Sequence, residues 1–326
     1  MTPILAIDHA AKHFPLAGKQ FLHAVDDVSF TIAPGESVGL VGESGCGKST
    51  LVRLVARLLD VSAGAIHFDG KNLGAIPARN FARHAERAAV QMVFQDPTDS
   101  LNPRFTSFDT IAEPLRLLLR MRDQTAIAQR VAELATQVGL PAELLPRFPH
   151  QLSGGQKARV GIARAIATKP RLLILDEPTA ALDVSVQAIV LNLLADLREQ
   201  LGMSYLFVSH DLNVIRLICD RVLVMYLGKV VESGPVDLVF ERPAHPYTKA
   251  LIAAIPRMGA GGHAPSARLP GEPRSPINPP ANVCRFFGRC PKGRARCEQE
   301  MPALRIIADR ADTRLVACHQ PEGEPT

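Results

Sequence analysis

The stretch SVGLVGESGCGKSTLVRLV, residues 37–55, decides the fold that this sequence predicts. Residues 37–41 form a short run typical of a buried strand, and the residues after Ser49 have the spacing of an amphipathic helix. GESGCGKS, residues 42–49, lies between them and fits the G-x-x-x-x-G-K-S pattern of a phosphate-binding loop. We therefore expect an α/β domain that binds a nucleoside triphosphate at this loop.

The loop predicts a site in which backbone N–H groups surround the phosphates. Lys48 would reach the β- and γ-phosphates, and the Ser49 hydroxyl would bind Mg²⁺. A chance glycine-rich turn is the alternative, but it does not explain the strand before the loop and the helix after it. For Cys46 we expect a packing role. The ATP-binding residues predicted here are Gly42, Glu43, Ser44, Gly45, Cys46, Gly47, Lys48, Ser49 and Thr50.

A second apolar strand ends in two adjacent acids. RLLILDEPTAALD, residues 171–183, begins with a run expected for a central strand buried on both faces. Asp176 would hold Mg²⁺, and Glu177 would act on the attacking water as general base or orienter. A surface acid pair is the alternative, but it does not explain why the pair follows a wholly apolar strand.

Two further polar residues follow predicted strands. Gln95 ends AVQMVFQ, and His210 ends MSYLFVSH. Polar groups at the carboxyl ends of parallel strands lie where open α/β sheets bind ligands. We expect His210, and similarly Gln95, to reach the γ-phosphate region from these strand ends.

HQLSGGQKARVGIARA, residues 150–165, is a glycine-rich turn that enters a helix. Backbone N–H groups at Ser153, Gly154 and Gly155 would lie at the positive end of that helix, where an anion is favoured. The alternative is a plain helix cap, because serine is a good N-cap residue. A cap alone does not require two glycines, so both interpretations can hold.

Composition limits the possible classes of protein. The 326 residues are 47% hydrophobic and 21% charged, with a net charge of +5, as in ordinary globular proteins. The sequence contains no apolar run long enough for a bilayer and no signal-peptide pattern, so we expect a cytoplasmic protein. In that compartment the six cysteines would be thiols or metal ligands rather than disulfides.

In order and spacing, these motifs resemble those of the ATP-binding subunits of ABC transporters. The resemblance extends over nearly the whole chain and includes LSGGQ (152–156), LLILDEP (172–178) and ALD (181–183). VFQDPTDSLNPR, HPYTKALIAAIP and CRFFGRCP are similar to segments of the oligopeptide/dipeptide importers, and they favour the second of the two ATPases that such importers usually carry.

The resemblance implies a P-loop ABC core in residues 1–240, with a helical subdomain at about 97–165, and a cysteine-containing C-terminal region in 241–326. It also implies that two ATPase subunits face each other head to tail and form composite ATP sites. Phe14 would stack on adenine, with Phe21 and His23 as competitors. Gln95 and His210 would be catalytic residues, and Gln95 would also be a ligand of Mg²⁺. The residues that would contact ATP bound to the partner subunit are Ser153, Gly154, Gly155, Gln156 and Asp183.

The implied function is ATP hydrolysis that drives a peptide importer. The implied partners are a second, different ATPase subunit, two membrane permease subunits and, indirectly, an extracytoplasmic solute-binding protein, with the chain at the cytoplasmic face of the membrane. The same ATPase could serve another cargo, such as nickel, glutathione or a sugar. An ABC ATPase that acts on nucleic acid or the ribosome is the alternative class, but we expect no nucleic-acid partner.

Four cysteines follow a proline-rich linker at residues 256–282. Their spacing, Cys284-x5-Cys290-x6-Cys297-x20-Cys318, contains no C-x-x-C pair, and from spacing alone a metal site and four unrelated thiols are equally open. The resemblance to peptide-importer ATPases implies that these thiols hold a [4Fe–4S] cluster, with Zn²⁺ as the alternative.

Overall fold

A computed structural model describes residues 2–96, 99–255, 271–307 and 314–322. Its strands, in chain order, are β1 (Leu5–Pro15), β2 (Phe21–Ile32), β3 (Ser37–Val41), β4 (Ala63–Phe68), β5 (Lys71–Asn72), β6 (Val90–Val93), β7 (Leu172–Asp176), β8 (Ser204–Val208), β9 (Arg221–Tyr226), β10 (Lys229–Pro235), β11 (Arg305–Ile306) and β12 (Leu315–Val316).

The α-helices alternate with the central strands and then continue into the C-terminal region. They are α1 (Lys48–Val55), α2 (Ala78–Phe81), α3 (Ser107–Leu117), α4 (Gln124–Gln137), α5 (Gly154–Ile166), α6 (Val184–Leu201), α7 (Leu212–Ile218), α8 (Val236–Glu241), α9 (Pro246–Ala253) and α10 (Ala295–Gln299). Among the described helices, none combines the length and hydrophobicity that a membrane span requires.

The central sheet has the strand order β11-β12-β10-β9-β3-β8-β7-β6. Its core pairs β6–β7, β7–β8, β8–β3 and β3–β9 are parallel. Every residue of β3, β7 and β8 is buried, which explains why apolar residues dominate these strands rather than alternating with polar ones. The predicted α/β fold with a phosphate-binding loop is confirmed.

Parallel pairing places the functional segments at one edge of the sheet. The phosphate-binding loop follows β3, the acids end β7, and the segments with His210 and Gln95 follow β8 and β6. Because the carboxyl ends of parallel strands meet at the same edge, residues far apart in sequence come together there. This edge holds the candidate site.

A second, antiparallel sheet has the order β2-β1-β4-β5. In the β1–β2 hairpin His13 pairs with His23 and Phe14 with Leu22. The hairpin thus brings the predicted adenine-stacking residue to the turn-proximal half of this sheet, beside the loop that follows β3.

Helices α3, α4 and α5 pack together beside the central sheet. Thr106 and Asp123 cap α3 and α4 by accepting hydrogen bonds from backbone N–H groups in the first turn. Ile111, Leu134 and Ile162 lie fully buried between the three helices. Apolar residues three and four apart on each helix form this core, as the sequence periodicity predicts.

The C-terminal region packs directly against the ATPase core. Strand β12 pairs with β10, and the buried Glu232 on β10 accepts hydrogen bonds from the Ala244 and His245 N–H groups just before α9. Residues 256–270 of the predicted linker lie outside the described residues. From residue 276 on, the linker pairs with the core, since His23 N–H donates to the Pro276 carbonyl.

Candidate nucleotide site

A cavity of about 410 Å³ opens at the carboxyl edge of the central sheet, and segments from both sheets line it. Nine of the residues predicted from the motifs line this cavity together with Phe14: Ser44, Gly45, Gly47, Lys48, Ser49, Thr50, Gln95, Glu177 and His210. The residues predicted for the chain's own ATP site that do not line this cavity are Gly42, Glu43, Cys46 and Asp176.

The phosphate-binding loop needs its glycines for steric reasons. Gly47 has a φ of 108°, and a Cβ atom there would lie 2.0 Å from the Ala24 carbonyl oxygen. A Cβ atom on Gly42 would lie 2.1 Å from the Met225 carbonyl oxygen. Any side chain at either position would therefore force the loop away from β2 or β9.

Lys48 is already directed into the loop. Its Nζ donates to the carbonyl oxygens of Gly42 at 2.7 Å and Glu43 at 3.0 Å. Cys46 is buried beneath, and burial raises the pKa of its thiol. The ammonium group of Lys48 thus donates to neutral backbone carbonyls. The charged phosphates of a nucleotide are stronger acceptors and can replace these carbonyls as its partners.

Asp176 is the last residue of β7 and is buried, with only 4% of the residue's surface exposed. Its Oδ1 atom accepts no hydrogen bond from the described residues. Burial, with a smaller contribution from the Glu177 charge, raises the pKa of Asp176 to about 6. A buried carboxylate oxygen without a donor, close enough to the phosphate loop for the charge of Lys48 to act on it, fits a ligand of Mg²⁺.

Glu177 joins the two predicted γ-phosphate residues. Its Oε2 atom accepts a hydrogen bond from Gln95 Nε2 at 3.2 Å and lies 3.0 Å from His210 Nδ1. The backbone of Glu177 has a φ of 47°, a left-handed conformation that is costly for a residue with a side chain. The strained turn directs the carboxylate into the cavity between the ends of three strands.

Phe14 and its cross-strand neighbour Leu22 line the cavity at the β1–β2 hairpin, and His23 lines it as well. Phe21 is 45% exposed and does not line it. Of the three candidates for adenine stacking, Phe14 and His23 are therefore placed at the cavity. Burial lowers the pKa of His23.

His13, His23 and Asp26 bring three potential metal-ligand atoms within 4.8 Å of one another. The two imidazole rings stack with their centroids 3.9 Å apart, and Asp26 forms ion pairs with Arg285 and Lys229. Stacked rings do not aim their nitrogen lone pairs at a common point, and Asp26 has cationic partners. We assign no ion to this group.

The LSGGQ segment lies away from the cavity of its own chain. Ser153 Oγ accepts a hydrogen bond from Gln156 N–H, and Gln156 Oε1 accepts one from Ser153 N–H, so the two residues form a capping box at the start of α5. A Cβ atom on Gly155 would lie 2.6 Å from Val186 Cγ1. Asp183 caps α6 by accepting from Val186 N–H at 2.9 Å.

The prediction of an iron–sulfur cluster at Cys284, Cys290, Cys297 and Cys318 is wrong. The four thiols surround a cavity of only about 20 Å³, which has room for about one water molecule and not for a cluster. Within the described part of the chain these sulfurs belong to no group of three ligand atoms within 4.8 Å, so the zinc alternative is not supported either. Burial raises the pKa of Cys284, Cys290 and Cys318, as expected for packed thiols.

Several residues of the site carried no signal in the sequence. Leu22, Ala24, Leu227, Gly228 and Pro276 line the cavity, and none of them belongs to a motif. Pro276 reaches the cavity because the C-terminal region pairs with β2. Such contacts depend on tertiary packing between distant segments. Leu22 and Ala24 lie in β2, and Leu227 and Gly228 directly follow β9, so only the strand patterns there could have suggested these residues.

The fold and the arrangement of these residues define a P-loop ATPase of the ABC type. Residues 25–180 match the family model for ABC transporters, and residues 231–297 match that for the C-terminal region of oligopeptide/dipeptide transporters. The chain belongs to the ATP-binding subunits of ABC transporters, and it is an ATPase that uses ATP and Mg²⁺. The matched families and relatives give no indication of an iron–sulfur cluster.

Relatives extend over nearly the full chain. A probable peptide ABC transporter ATP-binding protein of Sinorhizobium fredii, y4tS, is 45% identical over 97% of this chain and 89% of its own. The di/tripeptide transport ATP-binding protein DppF of Pseudomonas aeruginosa is 41% identical over 99% of both chains.

Solved structures share the fold of the core. The ATP-binding cassette MJ0796, described as a dimer in a post-hydrolysis state with ADP and Pi, matches with a TM-score of 0.65 and 28% identity over 71% of this chain and 98% of its own. CbiO1 from Clostridium perfringens, part of the transporter complex cbiONQ, matches with a TM-score of 0.63 and 30% identity over 74% and 92%.

Proposed function

We propose that this chain hydrolyses ATP to drive the import of di- and oligopeptides. The match of residues 231–297 to the oligopeptide/dipeptide transporter C-terminal region carries this proposal, and the names of the relatives support it. The ATPase core alone would be compatible with any cargo, because its nucleotide cavity does not depend on what is transported.

Different residues around the cavity bind the phosphates and the Mg²⁺ ion. Lys48 binds the β- and γ-phosphates, and backbone N–H groups of residues 42–50 surround them. Ser49, Gln95 and Asp176 hold Mg²⁺, which when bound neutralises charge on the phosphate oxygens. Asp176 would do this only as a carboxylate, which is the predominant form at neutral pH when the pKa is about 6.

Glu177 acts on the attacking water as a general base or orienter. The Glu177 carboxylate is held by Gln95 Nε2 and His210 Nδ1, which fixes the direction of its second oxygen and of the water bound to it. His210 and Gln95 in turn reach the γ-phosphate side of the cavity. This arrangement supports in-line attack on the terminal phosphorus.

The second glycine-rich turn would act on a partner subunit. Ser153, Gly154, Gly155 and Gln156 open α5 outside the cavity of their own chain, and the N-terminus of a helix of 13 residues favours an anion. A head-to-tail dimer would bring this turn over the ATP bound to the partner, with Asp183 beside the interface. The description of MJ0796 as a dimer supports dimerisation here.

The complete transporter would contain further subunits. As a family member the chain works with membrane permease subunits, and we propose two of them, contacted through the helical unit α3–α5 at the cytoplasmic face. We also propose a second, different ATPase subunit and a solute-binding protein on the other side of the membrane.

Purification from membranes in which this chain is produced together with candidate peptide-permease subunits tests the proposal. We expect co-purification with those subunits, and ATPase activity in proteoliposomes that rises when a peptide-loaded binding protein is added. Stimulation by a nickel, glutathione or sugar binding protein instead would overturn the assignment of peptides as the cargo, but not the ATPase function. Recovery with RNA and without permeases would overturn the transporter function itself.

A further inference from the structure

Glu43, the second residue of the phosphate-binding loop, is held by the C-terminal region. Arg289 donates to both of its carboxylate oxygens, from Nη1 to Oε2 at 2.8 Å and from Nη2 to Oε1 at 3.1 Å. The Glu43 N–H donates to the Tyr247 hydroxyl at 2.8 Å. Both partners lie more than 200 residues away along the chain and within the region matched to peptide transporters.

These partners are themselves fixed. Arg289 is 7% exposed, and its Nη1 also donates to the Tyr226 hydroxyl at 3.1 Å. Tyr247 is fully buried and packs against Tyr226, with ring centroids 4.6 Å apart. A two-pronged contact between guanidinium and carboxylate fixes both distance and orientation, so Glu43 cannot move without disturbing this buried cluster.

The charge of Glu43 is unfavourable for the chemistry of the loop. A carboxylate in a loop that binds a triphosphate repels its ligand unless a cation neutralises it. Arg289 supplies that cation from outside the loop, and Lys48 remains available for the phosphates. The Glu43 carbonyl oxygen also accepts a hydrogen bond from Lys48 Nζ, so the position of Glu43 affects the resting position of that lysine.

We propose that Arg289 and Tyr247 are positioning residues for ATP binding, through which the C-terminal region holds the phosphate-binding loop and neutralises Glu43. The inference rests on the ATPase site and is independent of the peptide cargo. Because coupling free energy is reciprocal, bound nucleotide should in turn stabilise the segment around Arg289.

Replacement of Arg289 by methionine in the full-length chain tests the proposal. Methionine keeps an unbranched, flexible stem and loses the charge and the hydrogen-bond donors. We expect the KM for ATP to rise about tenfold with little change in kcat, since coupling between sites is commonly of this size. Arg289→Lys, which keeps the charge, should restore part of the affinity. Arg314→Met is the control, because it removes a similarly buried arginine of the same region that pairs with Glu232 on β10 and does not line the nucleotide cavity.

A second substitution distinguishes neutralisation of Glu43 by Arg289 from a general structural defect in the C-terminal region. If Arg289 acts by neutralising Glu43, then Glu43→Gln added to Arg289→Met should restore most of the ATP affinity. A structural defect in the C-terminal region would not be relieved by a change in the loop. Absence of rescue, or an Arg314→Met defect of the same size, would overturn the proposal.

Two measurements keep the inference testable if Arg289→Met folds poorly. Tyr247→Phe keeps the packed ring and removes the acceptor of the Glu43 N–H, and we expect a smaller rise in KM. In the unmodified chain, ATP should slow hydrogen exchange of the amides of residues 284–290. An unchanged KM in Tyr247→Phe together with unchanged exchange would overturn the proposal, whatever cargo the transporter carries.

Discussion

His210 Nδ1 lies 3.0 Å from Glu177 Oε2, although 33 residues separate the two in sequence. The contact joins the segment after β8 to the residue after β7, and Gln95 from beyond β6 donates to the same oxygen. Three neighbouring parallel strands therefore direct their carboxyl ends to one carboxylate. This relationship gives the Glu177 carboxylate a fixed orientation toward the cavity.

Glu177→Gln should keep ATP binding and lose turnover. The amide retains hydrogen bonds to its neighbours but cannot accept a proton, so phosphate release should slow by at least about 100-fold. Single-turnover phosphate release and nucleotide binding measure the two properties. Glu36→Gln is the control, because Glu36 pairs with Arg221 away from the cavity. Near-normal phosphate release in Glu177→Gln would remove Glu177 from this role.

Lys48→Ala should weaken nucleotide binding itself. Loss of a charged donor to the β- and γ-phosphates should raise the Kd for ATP by about 10- to 100-fold. Equilibrium binding of a fluorescent ATP analogue checks this. Lys71→Ala, at an exposed lysine paired with Glu86, should leave the Kd unchanged. An equal loss in both variants would argue against a specific phosphate contact.

Ser153→Arg should impair hydrolysis at the ATP site of the partner subunit. Its own cavity is intact, since Ser153 does not line it. Dimers mixed from Ser153→Arg and unmodified subunits, with nucleotide trapped and assigned to each chain, separate the two sites. Loss confined to the phosphate loop of the substituted chain itself would contradict the head-to-tail arrangement.

Mg²⁺-dependent nucleotide binding should weaken as pH falls through about 6. The raised pKa of Asp176 means that its carboxylate is protonated below that value and then cannot hold the ion. Titrations of Mg²⁺ at fixed ATP between pH 5 and 8 measure the change. ATP itself titrates in this range, so Asp176→Asn is the reference, and a pH profile identical in both proteins would refute the assignment.

Asp176→Asn should also stabilise the nucleotide-free protein at high pH. The folded pKa lies above the ordinary value of 3.8, so the charged form is disfavoured in the folded state. The resulting cost is absent below about pH 4, grows as pH rises, and is complete above the folded pKa of about 6. We expect a gain of about 2 kcal/mol at pH 8 and almost none at pH 4. Denaturant unfolding at both pH values checks it, and an equal effect at both would indicate a cause other than ionisation.

The sequence by itself determined the nucleotide chemistry and the type of fold. Strands β3, β7 and β8 are buried on both faces, which favours apolar residues on both faces and makes the strands readable as short, mostly apolar runs. The phosphate loop, the acids after β7 and the capping box at Ser153 act over a few residues, so their spacing is visible in the chain. The residues that meet at Glu177 could be predicted because each follows such a strand.

Only the tertiary structure decided which segments that are distant in the sequence contact one another. Nothing local to Arg289 indicates that it contacts Glu43, and nothing near Pro276 indicates that it lines the nucleotide cavity, because both contacts depend on how the C-terminal region packs on the core. The four C-terminal cysteines show that tertiary packing can also exclude a site that was expected from the sequence. The family resemblance, and not the spacing, implied a cluster there, whereas the cavity that the four thiols line, which packing alone sets, has room for about one water molecule.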